Sequence, residues 1–162
     1  MFSQNKNVAF VQDLRYNYRV IININWGTKK MEIISTSSNG KLAFGDYSLT
    51  EKQKKEDFPH CGDLYKIKTY NTMTKLEKNG LFLFESVPGT NISDFEENGK
   101  GMFFKVECDK DAQITVGLAE NTEYDIAIDG KSIGKITSNA SGKVSFGVEL
   151  QTGEKKEVSI TL

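Results

Sequence analysis

The sequence predicts an all-β protein: an antiparallel β-sandwich or jelly-roll-like body followed by a small immunoglobulin-like β-meander. Two observations predict this class. Strand-length segments rich in β-branched and aromatic residues recur at short intervals, as expected for half-buried strands. Between them stand Asn-Gly, Asp-Gly and Ser-Gly pairs, which tolerate the positive φ angles of tight hairpin turns. Helical periodicity is nearly absent.

Eleven segments have the length and composition of strands. In chain order they cover residues 18–26, 30–36, 63–70, 72–78, 81–86, 101–108, 112–118, 122–129, 131–137, 143–150 and 155–162. Several alternate apolar with polar residues, so one face of each strand would enter a core. The segment 143–150 shows this most clearly, with Val144, Phe146, Val148 and Leu150 on one face.

The turn pairs predict where the chain reverses. Asn79-Gly80 and Asp129-Gly130 each join two strand-like segments directly and predict two-residue hairpins. Residues 49–57 are the exception to the β pattern. Thr50 is suited to cap a single helical turn there, and a lysine-rich charged loop is the alternative interpretation.

Strand spacing becomes an even meander of about five strands after residue 109. This change predicts two lobes, a sandwich-like lobe over 1–108 and a small meander over 109–162. No Gly/Ser-rich or Pro-rich linker separates them, so the boundary is expected to be packed.

Composition narrows the classes of function. The chain has 162 residues and a net charge of −1, and only Arg15 and Arg19 among its 21 basic residues are arginines. Without a basic stripe it does not resemble a nucleic-acid-binding protein. A near-neutral surface permits self-association. Neither a secretory signal nor a membrane-spanning apolar stretch is visible, so we expect no membrane insertion and a cytoplasmic protein, or an extracellular one if a leader has been removed.

Catalytic options are few because His60 is the only histidine. On an extended chain, His60 and the neighbouring Cys61 would point in different directions. Cys61 and Cys108 form no CxxC motif and no disulfide framework. Phosphate-binding glycine motifs and His-based zinc patterns are also missing. We therefore predict a non-enzymatic protein with no catalytic residue, no metal and no cofactor.

Six short segments together resemble a set of short β-rich proteins of anaerobic bacteria that carry the name endosialidase. The segments are 44–48 (FGDYS), 59–63 (PHCGD), 68–72 (KTYNT), 85–90 (ESVPGT), 118–125 (LAENTEYD) and 138–143 (SNASGK). The resemblance implies a small β-rich bacterial protein of undefined role. It implies no sialidase activity, because sialidases clamp their substrate's carboxylate with several arginines on a large propeller.

Two functions fit these observations. The first is a structural or interaction protein that associates with itself, as a homo-oligomer or filament, through sheet edges or faces; the C-terminal strand 155–162 is a candidate edge. The alternative is a carbohydrate-binding accessory module of a larger surface or phage-tail protein. For a partner or glycan patch we select Tyr16, Tyr18, Arg19 and Trp26. Tyr47, Tyr65 and Tyr70 are further candidate stacking rings.

Overall fold

A computed structural model describes residues 8–13, 18–23 and 32–162, the first two segments through their backbone. The described residues form fifteen strands. Their bounds are β1 Val8–Asp13, β2 Tyr18–Asn23, β3 Ile34–Thr36, β4 Leu42–Phe44, β5 Gln53–His60, β6 Asp63–Thr69, β7 Thr74–Lys78, β8 Leu81–Val87, β9 Asn91–Asn98, β10 Gly101–Glu107, β11 Ala112–Gly117, β12 Glu123–Ile128, β13 Lys131–Thr137, β14 Lys143–Val148 and β15 Lys155–Thr161.

The chain divides into two compact units, residues 1–32 and 33–162. The described part of the first unit is an antiparallel ribbon, β1 paired with β2 from Val8 opposite Asn23 to Asp13 opposite Tyr18. All other described strands belong to the second unit.

The second unit is a β-sandwich, which confirms the predicted fold class. One antiparallel sheet has seven strands in the order β13-β12-β15-β10-β9-β4-β3. The other has six, in the order β14-β11-β8-β7-β6-β5. Neighbouring strands in both sheets run antiparallel, as the hairpin turns require.

The core lies between the sheets and is built from alternating side chains. Val144, Phe146 and Val148 of β14 are all buried, as their spacing predicts, while the residues between them are exposed. At the centre, Phe84 packs edge-to-face against Phe44 and Phe104, with ring centroids 5.2 and 5.5 Å apart. One continuous cluster of buried apolar side chains results.

Both predicted two-residue hairpins are confirmed. Asn79-Gly80 and Asp129-Gly130 have positive φ at both turn positions, the geometry of a type I′ turn. The hairpin at Asn98-Gly99 is displaced by one residue, since Asn98 pairs with Gly101 and the turn residues are 99 and 100.

The helical turn predicted near Thr50 is wrong. Residues 53–60 form β5, which pairs with β6 at the edge of the six-stranded sheet. Most of its side chains are exposed, so the sequence carries no apolar alternation to reveal it. Backbone pairing with β6 overrides the local preference.

No gap in the sheets marks the predicted boundary near residue 109. β11 pairs with β8 and β15 pairs with β10, so both sheets continue across it. The five strands of 109–162 are divided between the sheets, β11 and β14 in one and β12, β13 and β15 in the other. These residues therefore complete the sandwich that the preceding strands begin.

Candidate functional site

The residues selected from the sequence fall mainly in the first unit. Tyr16 and Trp26 lie outside the described residues. Tyr18 and Arg19 are the first two residues of β2, opposite Asp13 and Gln12. Patch formation by these four residues stays a prediction.

The tyrosines of the second unit do not form an exposed platform. Tyr65 is 95% buried and belongs to the core, so its selection as a stacking ring is wrong. Tyr47 is half-buried against the same core. The large apolar side chains that the described part of the second unit exposes are aliphatic: Leu64, Leu81, Val87, Ile133 and Leu162.

His60 and Cys61 are in contact, contrary to the prediction that they diverge. Cys61 Sγ lies 3.5 Å from His60 Nε2. The reason is that Cys61 is not extended: it occupies, with Gly62, a two-residue turn between β5 and β6, with a φ of 50°. A Cys-Gly pair is not among the strong hairpin signals, so the sequence did not reveal this turn.

The same histidine connects the two sheets on one side of the sandwich. His60 Nδ1 lies 2.9 Å from Thr36 Oγ1, which joins β5 of one sheet to β3 of the other. The ring also packs edge-to-face against Tyr65, at a centroid distance of 5.8 Å. Beside it lies a cleft of about 310 Å³.

Charged side chains line this cleft and form ion pairs with one another. Lys78 Nζ contacts Glu97 at 2.5 Å and Asp63 at 3.5 Å, and Lys41 contacts Glu96 at 3.4 Å. The hydrogen bond to Glu97 raises the pKa of Lys78. A hydrogen bond from Asn79, together with the charge of Lys78, lowers the pKa of Asp63.

On the opposite side of the sandwich, the seven-stranded sheet extends beyond the six-stranded sheet. We call this offset between the outer strands β13 and β14 the step. β13 is the last strand of the seven-stranded sheet, and all but one of its residues are exposed. β14 is the last strand of the six-stranded sheet and buries every second residue. Only residues 138–142 join the two strands, so both lie on the same side. β13 therefore overhangs the end of the opposite sheet.

Three of the four outer strands of the sandwich are poorly suited to accept another strand. β3 has only three residues. β5 contains Pro59 and an irregular register between Lys55 and Phe58, and β13 has a bulge next to Gly134, which has a φ of 123°. Proline, charge and bulges all discourage edge pairing. β14 pairs with β11 in unbroken register and is the regular edge.

The predicted edge role of the C-terminal strand is wrong. β15 lies inside the seven-stranded sheet, hydrogen-bonded to β10 on one side and β12 on the other. Its apolar residues Val158 and Ile160 are buried. Chain order did not indicate this position, because the last strand inserts between two earlier ones.

The peptide groups of β14 alternate between its neighbour and the open edge. Gly142 O accepts a hydrogen bond from Leu118 N on the side of β11. Lys143 N and O instead bind Asn139 on the other side. By the alternation of an antiparallel strand, the peptide groups of Ser145 and Gly147 also point away from β11. They form the unpaired part of the edge.

No protein-family model, curated protein or solved structure significantly matches the chain. Among the described residues, no three or more His, Cys, Asp or Glu side chains are grouped to hold a metal ion. Nor do the described residues include a helix long and apolar enough to cross a membrane.

Proposed function

We propose that the protein is a non-enzymatic interaction protein that associates with a second copy of itself through the edge of β14. The step on this side of the sandwich carries the proposal: a regular, unpaired strand lies beside an overhanging strand that nothing in the described sandwich covers. A strand added to an open sheet edge gains main-chain hydrogen bonds along its length.

A second β14 fits this edge in one register particularly well. A two-fold axis at Phe146 places Ser145 opposite Gly147 of the second copy, and Gly147 opposite Ser145. Both residues direct their peptide groups outward, so the pair exchanges four main-chain hydrogen bonds. Buried positions also meet buried positions across the axis, because residues opposite each other share a face of the sheet.

Charge supports the same register. Two residues beyond Gly147, the exposed Glu149 comes opposite Lys143 of the second copy. The two-fold axis creates this pair twice. Opposite charges facing each other across antiparallel strands stabilise the pairing, whereas like charges oppose it.

The overhang adds apolar area. Ile133 of β13 is 50% exposed, and Ile136 is half-buried against the core. A strand from the second copy would extend the six-stranded sheet into the space beside β13. Burial of Ile133 there would contribute roughly 25 cal/mol per Å² of apolar surface covered.

Two substitutions at one residue test the proposal. Ser145→Pro removes the outward N–H that the interface needs, while Ser145→Ala keeps it; both remove the side-chain hydrogen bond to Thr115. We expect light scattering to give twice the 18.2 kDa chain mass for the unsubstituted protein and for Ser145→Ala. Ser145→Pro should give a monomer with an unchanged far-ultraviolet spectrum. A monomeric unsubstituted protein at high concentration contradicts the proposal, and so does a dimeric Ser145→Pro variant.

A further inference from the structure

The side of the sandwich opposite β14 carries a thiol that the proposed association does not use. Cys61 is exposed at the tip of the β5–β6 hairpin. It is paired with His60, at 3.5 Å from Sγ to Nε2. The other thiol, Cys108, is buried and directed at the carbonyl of Gly89, 3.2 Å away. The two cysteines thus have opposite surroundings in one chain.

Thr36 lies within hydrogen-bonding distance of the His60 nitrogen that does not face Cys61. Its hydroxyl lies 2.9 Å from Nδ1 and can accept the Nδ1 proton, which leaves Nε2 as the proton-accepting nitrogen toward Cys61. The edge-to-face contact with the buried Tyr65 limits rotation of the ring. Nucleophile, base and a group that orients the base are therefore arranged in series.

The cleft beside the thiol indicates the chemistry of its partner. It has room for a small organic group, at about 310 Å³, and both His60 and Cys61 line it. Two lysines, Lys41 and Lys78, stand against three carboxylates, Asp63, Glu96 and Glu97, a balance of one negative charge. Such a lining favours a cationic substituent over an anionic one.

We propose that Cys61 and His60 form a thiol-modification site that takes low-molecular-weight disulfides bearing amine groups. His60 Nε2 accepts the Cys61 proton, and the thiolate attacks one sulfur of the disulfide. The disulfide's S–S bond breaks as the new bond to Cys61 Sγ forms. The departing thiolate takes the proton from His60, so that a mixed disulfide and one free small thiol result.

Reaction with cystamine, a dicationic disulfide, tests the site. Intact-mass measurements of the full chain should show a single adduct, which peptide mapping places on Cys61. His60→Gln should slow its formation about tenfold, because only a few per cent of an unassisted thiol is ionised at neutral pH. Thr36→Val should slow it several-fold and Thr36→Ser should restore it, a pattern that a general loss of packing would not produce.

A neutral reagent tests the charge preference. After normalisation to N-acetylcysteine, cystamine should react about fivefold faster than bis(2-hydroxyethyl) disulfide, since one nearby charge contributes about 1 kcal/mol in water. Glu96→Gln should reduce that ratio. Equal rates for His60→Gln and the unsubstituted chain overturn the proposal. So does an adduct on Cys108, or the absence of any preference for cystamine.

Discussion

A chain of buried hydroxyl groups holds one end of the sandwich. Thr74 Oγ1 lies 2.8 Å from Thr69 Oγ1 and accepts a hydrogen bond from Thr90 N. It also donates to Thr90 O, and Ser86 Oγ continues the chain to Thr90 Oγ1 at 2.7 Å. Because these groups are fully buried, each needs a partner within the protein. They fix the 87–90 connection against β7.

Replacing Thr74 by valine should cost about 3 kcal/mol in the free energy of unfolding. The side-chain volume is kept, but Thr90 N–H, Thr90 O and Thr69 Oγ1 each lose the hydrogen bond to Thr74, and a buried group left without a partner costs about 1 to 3 kcal/mol. Urea unfolding measures the difference.

Thr115→Val is the matched control for this prediction. Thr115 Oγ1 also bonds a hydroxyl, that of Ser145, at 2.8 Å, but on the exposed face of the sheet. Water can replace that partner, so the loss should be about 0.5 kcal/mol or less. Equal losses of unfolding free energy in the two variants would contradict the prediction that the buried hydroxyl hydrogen bonds contribute more than the exposed one.

At the residue scale, the sequence predicts the core better than the site. Val144, Phe146 and Val148 are recognisable because alternation with polar residues has few other causes. The pair of His60 and Cys61 was missed because it depends on a left-handed backbone angle at Cys61. Thr36 belongs to the site only through sheet packing, which no local pattern encodes.

Among the elements, the four outer strands differ in the length and regularity of their free edges. β5 and β13 are interrupted by bulges, and β3 is short. Along the outer edge of β14, the peptide groups of Lys143 are hydrogen-bonded to Asn139. The other outward-facing peptide groups of this strand have no described partner. The proposed register therefore begins at Ser145 and depends on charge at its two ends.

Exchanging charges at the ends of β14 should first weaken and then restore the proposed dimer. Lys143→Glu places like charges opposite each other twice. Because an exposed charge pair contributes up to about 1 kcal/mol, the dissociation constant of the dimer should rise about tenfold. Adding Glu149→Lys should return it close to the original value. Sedimentation equilibrium measures both constants.

Lys143 also has an internal contact that controls for stability. Its Nζ lies 4.6 Å from the centroid of the Phe82 ring, and both variants lose this cation–π contact. Only the dimer constant should therefore recover in the double variant, not the monomer stability. High salt should reduce the difference between the single variant and the original chain. A single variant that binds as tightly as the original refutes this register.

Most of the strands that the sequence predicted have a buried face, but the correspondence is incomplete: 131–137 was expected and forms the exposed β13, whereas β9, which buries Ile92 and Phe95, was not expected. β6, β10, β12 and β14 alternate clearly and were expected near their observed bounds. β5 was missed because it is mainly exposed and charged. Strand order was beyond prediction, since the insertion of β15 between β10 and β12 depends on long-range pairing.

At the scale of the whole molecule, the chain contains two compact units, the N-terminal unit and the β-sandwich. The unit of residues 33–162 contains the described core and both sheets. In the first unit the described part is a two-stranded ribbon, and such ribbons are marginally stable alone. The two proposed surfaces and the four residues chosen from the sequence lie in different units.

Removal of residues 1–32 should therefore leave both the fold and the dimer intact. The remaining chain keeps β14, Lys143 and Glu149, so its dissociation constant should agree with that of the full chain within about threefold, or less than 1 kcal/mol. Its strand content by circular dichroism and its cooperative urea transition should also persist. Sedimentation of the two chains, side by side, measures the constants.

If the shortened chain folds but is monomeric, self-association belongs to the unit that carries Tyr16, Tyr18, Arg19 and Trp26, and the β14 edge is not the interface. A glycan that binds the full chain and not the shortened one would instead support the carbohydrate-binding alternative, with Trp26→Ala in the full chain as its residue-level test.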